Sequence, residues 1–400
     1  MRSDVLIAGA GPAGSALAIR LARLGVSVTL VDRAVFPREK ICSEYMSPEA
    51  VRHLELLGVL TELESSGGGR LTGTTVIGPR GARLTGLFAR AGTPFRPTGL
   101  SLPRRVLDET LVRSAVRAGA VLREREQVTD LVVRDGAVRG VVVRESNGTV
   151  RTLNARLVVG ADGLRSVVAR AVGRRRHGTP ARIAFVAHVA NVAGLGEVAE
   201  MHVTRAGYVG LNPLGGGIAN VAVVVPLARA AAARGRAEAF WLDVLDSIPT
   251  VRGRIDPRLI VRRVLVTGPF AAWSERVVAA GAVLIGDAAD FFDPFTGEGI
   301  YSALKAAEMA AGAILPALAL PGTPDARRLA PYAAERRRAF LGKWAVERMI
   351  GYAMLAPWLF ERAVERLERR GLADTFIGVT GDILPAGAVL NPRVLAAMVW

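Results

Sequence analysis

A glycine-rich turn near residue 9 is the feature that most constrains the fold. The hexapeptide Gly9-Ala10-Gly11-Pro12-Ala13-Gly14 lies between an apolar run at 4–9 and an alanine- and leucine-rich segment at 13–24, and a second apolar run follows at 27–31. This order predicts a strand, a helix and a parallel strand. In a G-x-G-x-x-G turn the first glycine permits the tight bend, the second admits a phosphate and the third allows close helix packing. The free N–H groups that begin the helix favour a pyrophosphate, so the turn predicts a dinucleotide site.

An acidic residue follows this unit at the expected distance. Asp32 ends the second apolar run, eighteen residues after Gly14, and Arg33 comes next. A carboxylate there can accept hydrogen bonds from ribose hydroxyls, which suits an unphosphorylated ribose such as that of FAD or NAD. A structural glycine turn and a surface acid are the alternatives that these residues leave open.

The chain is strongly basic, but its charge is dispersed. Lysine and arginine exceed aspartate and glutamate by 52 − 36 = 16, and the sequence pI is about 11.2. Arginines are spread along the whole chain, and the longest runs are only 174–176 and 336–338. We therefore expect no nucleic-acid binding, because that function needs a concentrated basic patch. Attraction to anionic lipid or to a phosphorylated ligand is left open.

The cysteine count and the hydropathy limit the cellular locations that we expect for this protein. One cysteine, Cys42, excludes an internal disulfide and a cysteine-based zinc site. The first residues lack a signal-peptide pattern, and no run of eighteen apolar residues is free of charge. We expect a cytoplasmic protein with at most peripheral membrane contact.

The rest of the chain alternates between helical and strand patterns. A helix is predicted at 106–118, a hairpin at 128–145 with its turn at Asp135-Gly136, and a buried strand at 157–163. Strand-like segments then dominate 180–267, with one helix near 233–246. A late apolar strand at 282–289 precedes a long helix, and most of the remainder is helical. The fold class expected is α/β with an α+β insert, and the domains are discontinuous in sequence.

Four acidic residues crowd the late stretch GDAADFFDPFTGEGIY at 286–301. They are Asp287, Asp290, Asp293 and Glu298, and the stretch also contains Pro294, Gly297 and Gly299. A metal cage would need these carboxylates to converge. We expect no metal, because a strand end, a tight turn and a helix start would give the acids separate tasks. An acid in the first turn of a helix is favourable in itself.

The order of three motifs carries a family resemblance. The glycine turn, the stretch GADGLR at 160–165 and the late GDAA at 286–289 resemble the FAD-dependent monooxygenase superfamily with the para-hydroxybenzoate hydroxylase fold. The stretch FPREKICSEYMSPEAVRHLELLGV at 36–59 is similar to a segment of its geranylgeranyl reductase-like branch. The resemblance covers roughly residues 1–320. It implies FAD as cofactor, with NADPH or NADH as a transient reductant.

The resemblance also divides the chain. It implies a Rossmann-type FAD-binding domain formed by 1–75, 101–178 and 268–340. A β-sheet substrate domain is expected at 76–100 and 179–267, and a helical C-terminal region at 341–400.

The resemblance further assigns site residues. The glycine turn would hold the pyrophosphate, Asp32 the adenosine ribose, Val128 the adenine, and Asp287 the ribityl chain. The turn at 294–297 would present N–H groups of the next helix to the flavin ring. The full set of expected cofactor contacts is Gly9, Gly11, Pro12, Ala13, Gly14, Asp32, Arg33, Cys42, Arg104, Val128, Asp162, Gly286, Asp287, Pro294, Gly297, Glu298, Gly299 and Ile300.

Catalytic and substrate residues are less well marked. Asp293 and Pro294 are the expected catalytic residues, because the resemblance places the start of this turn closest to the face of the flavin ring. In AGYVGLNPLGGGIANVAVVV at 206–225, Tyr208 and Asn212 are the expected substrate contacts. Gly210 and Asn212 stand where the reductases have tryptophan and phenylalanine. A flavin halogenase's W-x-W-x-I-P segment is also missing.

Three functions follow from the resemblance. The first is an NAD(P)H-dependent monooxygenase that hydroxylates or epoxidises a bulky apolar, aromatic or polyketide-like substrate. The second is a reductase that saturates isoprenoid double bonds, and the third is a flavin-bearing binding or electron-carrier protein without a substrate of its own. His53, expected near the surface, and His177, beside an arginine run, are not persuasive bases. The oligomeric state is not predicted.

Overall fold

The structure is a computed structural model that describes residues 3–399. The strands are β1 (Ser3–Ala8), β2 (Val28–Val31), β3 (Tyr45–Met46), β4 (Gly69–Leu71), β5 (Gly73–Ile77), β6 (Arg83–Leu87), β7 (Gly99–Ser101), β8 (Val121–Arg123), β9 (Glu126–Arg134), β10 (Ala137–Glu145), β11 (Val150–Gly160), β12 (Arg175–His177), β13 (Arg182–Ala190), β14 (Val198–Thr204), β15 (Gly207–Gly215), β16 (Ile218–Pro226), β17 (Ile260–Thr267), β18 (Ala272–Ser274), β19 (Val278–Ala279), β20 (Ala282–Leu284) and β21 (Asp290–Phe291). The α-helices are α1 (Pro12–Ala22), α2 (Pro48–Leu56), α3 (Leu60–Ser65), α4 (Arg104–Arg117), α5 (Val167–Val172), α6 (Ala237–Asp246), α7 (Gly299–Ala319), α8 (Ala326–Ala353), α9 (Pro357–Arg369), α10 (Ala373–Thr380) and α11 (Pro392–Val399).

The first sheet is the expected parallel sheet. Its strands run in the order β19-β20-β11-β1-β2-β8, and all neighbours from β20 to β8 are parallel. The central strand β1 is buried from Val5 to Ala8, as its unbroken apolar run predicts for a strand covered on both faces. Helix α1 packs on α4 and α7, so the predicted strand-helix-strand unit is confirmed.

An antiparallel hairpin extends this sheet. Strand β10 pairs with both β9 and β11. Its turn residues Asp135 and Gly136 have φ of 52° and 70°. A two-residue hairpin turn needs positive φ at both positions, and aspartate followed by glycine meets that need at low cost. The hairpin predicted at this position is confirmed.

The second sheet has seven strands, and different helices pack on its two faces. Its order is β17-β13-β16-β15-β14-β5-β6, and only the pair β14 and β5 is parallel. Helix α6 covers one side, with Trp241 fully buried. Phe360 and Ile377, from α9 and α10, join the core on the other side. The C-terminal helices therefore complete this sheet rather than stand apart from it.

Three of the expected domain boundaries fall inside elements. The boundary between 75 and 76 cuts β5, which belongs whole to the seven-stranded sheet. The boundary between 100 and 101 cuts β7, and the boundary between 340 and 341 cuts α8. The turn before β6 shows how tightly these parts are joined. The buried carboxylate of Glu361 on α9 accepts the backbone N–H groups of Arg80 and Ala82, both at 2.8 Å.

Helix α7 is long and apolar enough to cross a membrane by length and composition. However, 61% of its most apolar window is buried, and it packs between α1 and α8. These are properties of a core helix. It is the one helix of this kind in residues 3–399.

One buried hydroxyl ties α8 to the parallel sheet. Tyr332 is fully buried, and its hydroxyl donates to Leu284 O at 2.8 Å. We expect Tyr332→Phe to lower the free energy of unfolding by about 1–2 kcal/mol, because the buried carbonyl loses its donor. The matched control is Tyr352→Phe, whose half-exposed hydroxyl donates to Thr179 O, with an expected change within about 0.5 kcal/mol. Denaturant unfolding measures both, and equal losses in the two variants would contradict the assignment.

Candidate flavin site

The three glycines of the turn meet different surroundings. Gly9 has φ of 98°, and a Cβ there would lie 2.4 Å from Ala161 O. A Cβ on Gly14 would lie 2.0 Å from Gly9 O. At Gly11, by contrast, the nearest atoms to a Cβ would be guanidinium nitrogens of Arg38 and Arg104, 3.6 and 3.8 Å away. Packing thus requires the first and third glycines, whereas the second leaves room beside positive charge.

A buried carboxylate organises that positive charge. Asp108 is fully buried and binds Arg104 Nε at 2.7 Å and Arg38 Nη1 at 2.8 Å. Burial by itself would lower the pKa of the Arg104 guanidinium, but Asp108 and then Cys42 raise it above its usual value. Arg105 is exposed, so the structure identifies Arg104 as the arginine beside the turn. Helix α1 also has no acid in its first turn, and the set suits a pyrophosphate.

The acid at the end of β2 lies against the same turn. Asp32 accepts the backbone N–H groups of Ala10 and Ala34, each at 2.9 Å. Glu126 N donates to Asp32 O at 3.0 Å, which brings the first residues of β9 beside it. Val128 lies there and is 8% exposed, whereas Arg33 is exposed. The positions suit a ribose and an adenine, and the individual contacts stay predictions.

The Gly286-Asp287 turn meets the glycine turn from the other strand. Gly286 has φ of 56°, and a Cβ there would lie 3.0 Å from that of Ala13. Burial raises the pKa of the Asp287 carboxyl, and Lys40, Arg104 and Arg175 oppose that rise. Arg175 donates to Asp287 O at 3.0 Å and to Ala288 O at 2.9 Å. The middle arginine of the run at 174–176 therefore holds this turn.

The Asp162 carboxylate binds groups at the start of a neighbouring helix. Its carboxylate accepts from the Ser166 hydroxyl and, at 2.7 Å, from Val167 N, so it caps α5. Burial raises the pKa of this carboxyl. Its Cα would lie 2.9 Å from a Cβ on Gly9, so the backbone reaches the glycine turn while the carboxylate is engaged elsewhere.

The turn before α7 is fixed by Asp293. One carboxylate oxygen accepts the Tyr208 hydroxyl at 2.6 Å and Phe295 N at 3.0 Å, and the other binds Arg182 Nη1 at 2.6 Å. Both oxygens of this buried carboxylate are therefore engaged, through three hydrogen bonds in all. These contacts argue against the expected catalytic role of Asp293 and favour a positioning role, in which it orients Pro294 and the following residues.

Tyr208 belongs to the same assembly. It is 3% exposed, its hydroxyl is bound to Asp293, and its ring packs edge-on to Phe295 with centroids 5.3 Å apart. The structure therefore favours packing over the expected substrate contact. The turn continues through Gly297, where φ is 75° and a Cβ would lie 2.8 Å from the Tyr45 ring. Only glycine meets both conditions.

The four acids of the late stretch have four separate partners. Asp287 lies among the cations described above, Asp290 pairs with Arg336 at 2.6 Å, and Asp293 pairs with Arg182. Glu298 is 2% exposed and accepts the Ser47 hydroxyl at 3.1 Å. Burial raises the pKa of Glu298 well above its usual value. Within residues 3–399 no group of three histidine, cysteine, aspartate or glutamate side chains could hold a metal ion. Beyond Glu298, Gly299 and the buried Ile300 begin α7.

A second polar cluster surrounds Glu44, which has φ of 59° and is fully buried. Its carboxylate accepts from Arg104 N at 2.8 Å and Asn220 Nδ2 at 2.8 Å, and lies 2.6 Å from His188 Nε2. Burial by itself would raise the pKa of Glu44, but the His188 contact holds it below the usual value. A charged carboxylate is therefore anchored between the two sheets.

Two asparagines of the seven-stranded sheet hold the neighbouring backbone. Asn220 Nδ2 donates to Cys42 O at 2.8 Å, and Asn212 Nδ2 donates to Ser43 O at 2.9 Å. The Asn212 Oδ1 atom is buried and has no hydrogen-bond partner in residues 3–399. The substrate role of Asn212 stays a prediction.

Sequence reasoning missed several residues of this site. His188, Asn220 and Arg182 lie on β13 and β16, at polar positions within apolar strands, and that mismatch is the signal that could have found them. The expectation for His53 was wrong. It is 5% exposed and lies 5.6 Å from the Tyr301 ring, and burial lowers its pKa to about 4.

A family comparison gives this geometry its context. The model of an FAD binding domain matches residues 2–347, which is most of the chain. The chain belongs to the FAD-dependent oxidoreductases. This family confirms the expected resemblance, including its geranylgeranyl reductase-like branch, and the Rossmann-type fold class. The open Gly11 and the cations beside it fit the cofactor's pyrophosphate.

Individual curated proteins and solved structures are similar to this chain over most of its length. The menaquinone reductase of Mycolicibacterium smegmatis is 31% identical over 331 residues, covering 78% of this chain and 76% of that reductase. Digeranylgeranylglycerophospholipid reductase 1 of Methanococcoides burtonii is 31% identical over 325 residues, covering 78% and 75%. The myxobacterial chondrochloren halogenase CndH is similar in structure, with TM-score 0.80 and 26% identity over 88% of this chain and 83% of that one.

A cavity of about 410 Å³ lies next to the turn at 294–297. Thr296 and Tyr301 form one wall, and Lys343, Glu347 and Asp382 contribute charge to the others. Lys343 Nζ binds Asp382 at 2.5 Å and lies 3.9 Å from Glu347. Burial raises the pKa of Glu347 to about 7, more than Lys343 lowers it. The cavity therefore has a mixed lining, in which these three charged side chains lie beside apolar ones.

Gly11 provides a selective test of the cofactor site. We expect Gly11→Ala to leave the free energy of unfolding of the apoprotein within about 0.5 kcal/mol of wild type, because its Cβ meets no protein atom closer than 3.6 Å. FAD affinity should fall at least about tenfold, because the methyl group occupies the approach of the pyrophosphate. Titration of apoprotein with FAD measures the loss. Gly312→Ala, in an open position on α7, is the control, and unchanged affinity in Gly11→Ala would refute the placement.

Glu347 predicts a pH dependence of stability. Its folded pKa, about 7, exceeds its ordinary value of 4.5, so the folded protein holds the proton that the unfolded chain releases between those values. Its contribution is fully present below pH 4.5 and is lost as pH rises through 7. We expect Glu347→Gln to gain stability relative to wild type, by up to about 3 kcal/mol, between pH 4.5 and pH 8.

Denaturant unfolding at the two pH values measures this gain. Glu335→Gln, an exposed position on the same helix, is the control and should show no such change. A Glu347→Gln difference that is the same at both pH values would contradict the assignment.

Proposed function

We propose that this FAD-dependent oxidoreductase is a reductase that saturates a double bond of an isoprenoid-like, membrane-soluble substrate. The observation that carries the proposal is the segment 36–59, which is similar to the geranylgeranyl reductase-like branch and contains the anchored Cys42–Glu44 stretch. The two relatives named as reductases, each 31% identical over most of both chains, support it.

The cofactor would be held by groups from three segments. Gly11, Arg104 and the start of α1 would bind the pyrophosphate, and Asp32 the ribose. The backbone N–H groups at 297–300 would face the ring, where a helix N-terminus stabilises negative charge. FAD, when bound, would supply two-electron hydride chemistry.

The chain's own residues would then position the reacting groups and shield them from water. Arg182, Asp293 and Tyr208 hold the turn that precedes α7, and Asn212 and Asn220 hold the Cys42–Glu44 stretch. These supports are buried and hydrogen-bonded, so they would fix the reacting groups without moving during turnover. Apolar rings around the turn, such as Phe295, would exclude water.

The remaining features of the proposal concern partners. NADPH or NADH would be the transient reductant, and the substrate would be bulky and apolar. The single cysteine favours a reducing, cytoplasmic location. Unpartnered Asn212 Oδ1 would be available to a polar group of the substrate.

Oxygen insertion is the second candidate function. The reductase-like aromatic residues are absent from β15, where Gly210 and Asn212 stand in their place. Similarity to the FAD-dependent halogenase CndH, at 26% identity, also supports a flavin reaction other than double-bond reduction. Both observations would fit an NAD(P)H-dependent monooxygenase that acts on an aromatic or polyketide-like substrate.

Product mass separates the two candidates. FAD-loaded protein, reduced anaerobically with NADPH, NADH or dithionite, is incubated with a menaquinone and with a geranylgeranyl glycerophospholipid. We expect a mass gain of two hydrogens in at least one of them that persists after air has reoxidised any quinol to quinone, because hydride and proton add across one isoprenoid double bond. The Gly11→Ala variant is the control and should form less product at the same protein and FAD concentrations.

Other outcomes would overturn the proposal. Oxygen incorporation in air, together with no anaerobic product, would favour the monooxygenase. Absence of any substrate-dependent oxidation of reduced protein in either condition would favour the third expectation, an electron carrier.

A further inference from the structure

One face of the C-terminal helices exposes large apolar side chains. Leu341, Tyr352, Leu355 and Trp358 are 57, 50, 59 and 63% exposed. Leu341 and Tyr352 are eleven residues apart on α8, which is three helical turns, so they share one side of the helix. Leu355 and Trp358 continue the surface across the junction to α9. We call these residues, with the arginines described next, the α8–α9 face.

Four arginines flank the apolar residues. Arg337, Arg338, Arg348 and Arg362 are exposed, and none forms an ion pair with any carboxylate in residues 3–399. The acidic residues of the interval 337–362 are Glu347 and Glu361, and neither is exposed: Glu347 lines the cavity and Glu361 binds the β5–β6 turn. The α8–α9 face is therefore apolar and of one charge sign.

This combination differs from the rest of the surface. Single exposed apolar residues are ordinary. Here four of the sixteen exposed large apolar side chains fall within eighteen positions, and two of the four are aromatic. Many other arginines are paired, such as Arg254 with Glu200 and Arg156 with Asp4. Aromatic and leucine side chains bordered by unpaired arginines are typical of surfaces that lie at a lipid-water boundary.

We propose that the α8–α9 face docks the protein on an anionic lipid bilayer. The net charge of +16 and the acid-free face are complementary to a negatively charged membrane. A second copy of this chain is the less favourable occupant, because a symmetric contact would bring the four unpaired arginines against their own copies. The inference rests on the surface alone and does not depend on the proposed reaction.

The face also adjoins the flavin-facing turn. Arg348 lies over the Phe292 ring at 5.7 Å, and the Tyr352 ring lies 6.4 Å from the same residue. Phe292 immediately precedes Asp293, which fixes the turn. Docking by this face would therefore hold the turn close to the membrane surface.

Vesicle cosedimentation of the full chain tests the proposal. Wild-type protein should bind phosphatidylcholine vesicles that contain about one third phosphatidylglycerol at least about tenfold better than pure phosphatidylcholine vesicles. We expect Arg337→Gln/Arg348→Gln to weaken binding to the anionic vesicles by roughly 10- to 30-fold, because each arginine near such a surface contributes about tenfold or less. Leu355→Ser/Trp358→Ser should weaken it at least about tenfold through lost apolar burial.

Controls separate docking from misfolding and from self-association. Val133→Ser/Arg134→Gln, an exposed pair on the β9–β10 hairpin, should bind as wild type does. Thermal unfolding checks that each variant is folded, and loss of wild-type binding at high salt is a readout that needs no variant. Equal binding to both vesicle types, or loss of binding in the control pair alone, would overturn the proposal. The proposal would also be overturned if wild-type protein were a dimer, if Leu355→Ser/Trp358→Ser converted it to a monomer, and if lipid vesicles had no effect on either form.

Discussion

The close approach of backbones at the glycine turn is the constraint on which the site depends. Gly9 packs against Ala161 at the end of β11, and Gly14 packs against Gly9 O, with no space for a side chain at either position. These two contacts bring the ends of β1 and β11 and the start of α1 together. The open Gly11 and the free helix N-terminus exist only because the other two glycines allow that geometry. The guanidinium groups of Arg38 and Arg104 can form a phosphate site only because they lie beside this open turn.

Buried ion pairs join segments that are far apart in the chain. Arg182 binds Asp293 across 111 positions, and Glu44 meets His188 across 144. Such pairs contribute little net stability, because desolvation offsets most of their attraction. Their value here is positional: each fixes a stretch of backbone, at the turn before α7 or at Cys42–Glu44, relative to the seven-stranded sheet. The discontinuous domains behave as one scaffold around the site.

The charge of the protein has two different uses. Inside, arginines such as Arg104, Arg175 and Arg182 hold carboxylates or backbone carbonyls and orient the turns. Outside, unpaired arginines gather beside exposed leucine and aromatic side chains on the α8–α9 face. An even distribution of arginine along the sequence therefore conceals an uneven distribution in space. The sequence predicts a basic protein without a concentrated basic patch, whereas the fold brings several arginines together on one surface.

The sequence by itself determined the cofactor unit and the fold class, because these depend on local patterns. Glycine spacing, the acid of Asp32 and the apolar strands act within a few residues of one another. Only the tertiary structure decided what the buried polar residues do. The contacts of Asp293 with Arg182 and Tyr208 favour a positioning role over the catalytic role that the sequence predicts. The partner of His188 is Glu44, 2.6 Å away, and no local sequence pattern predicts that pair. A polar side chain's role is set by the partners that folding brings to it, and those partners come from elements distant in sequence.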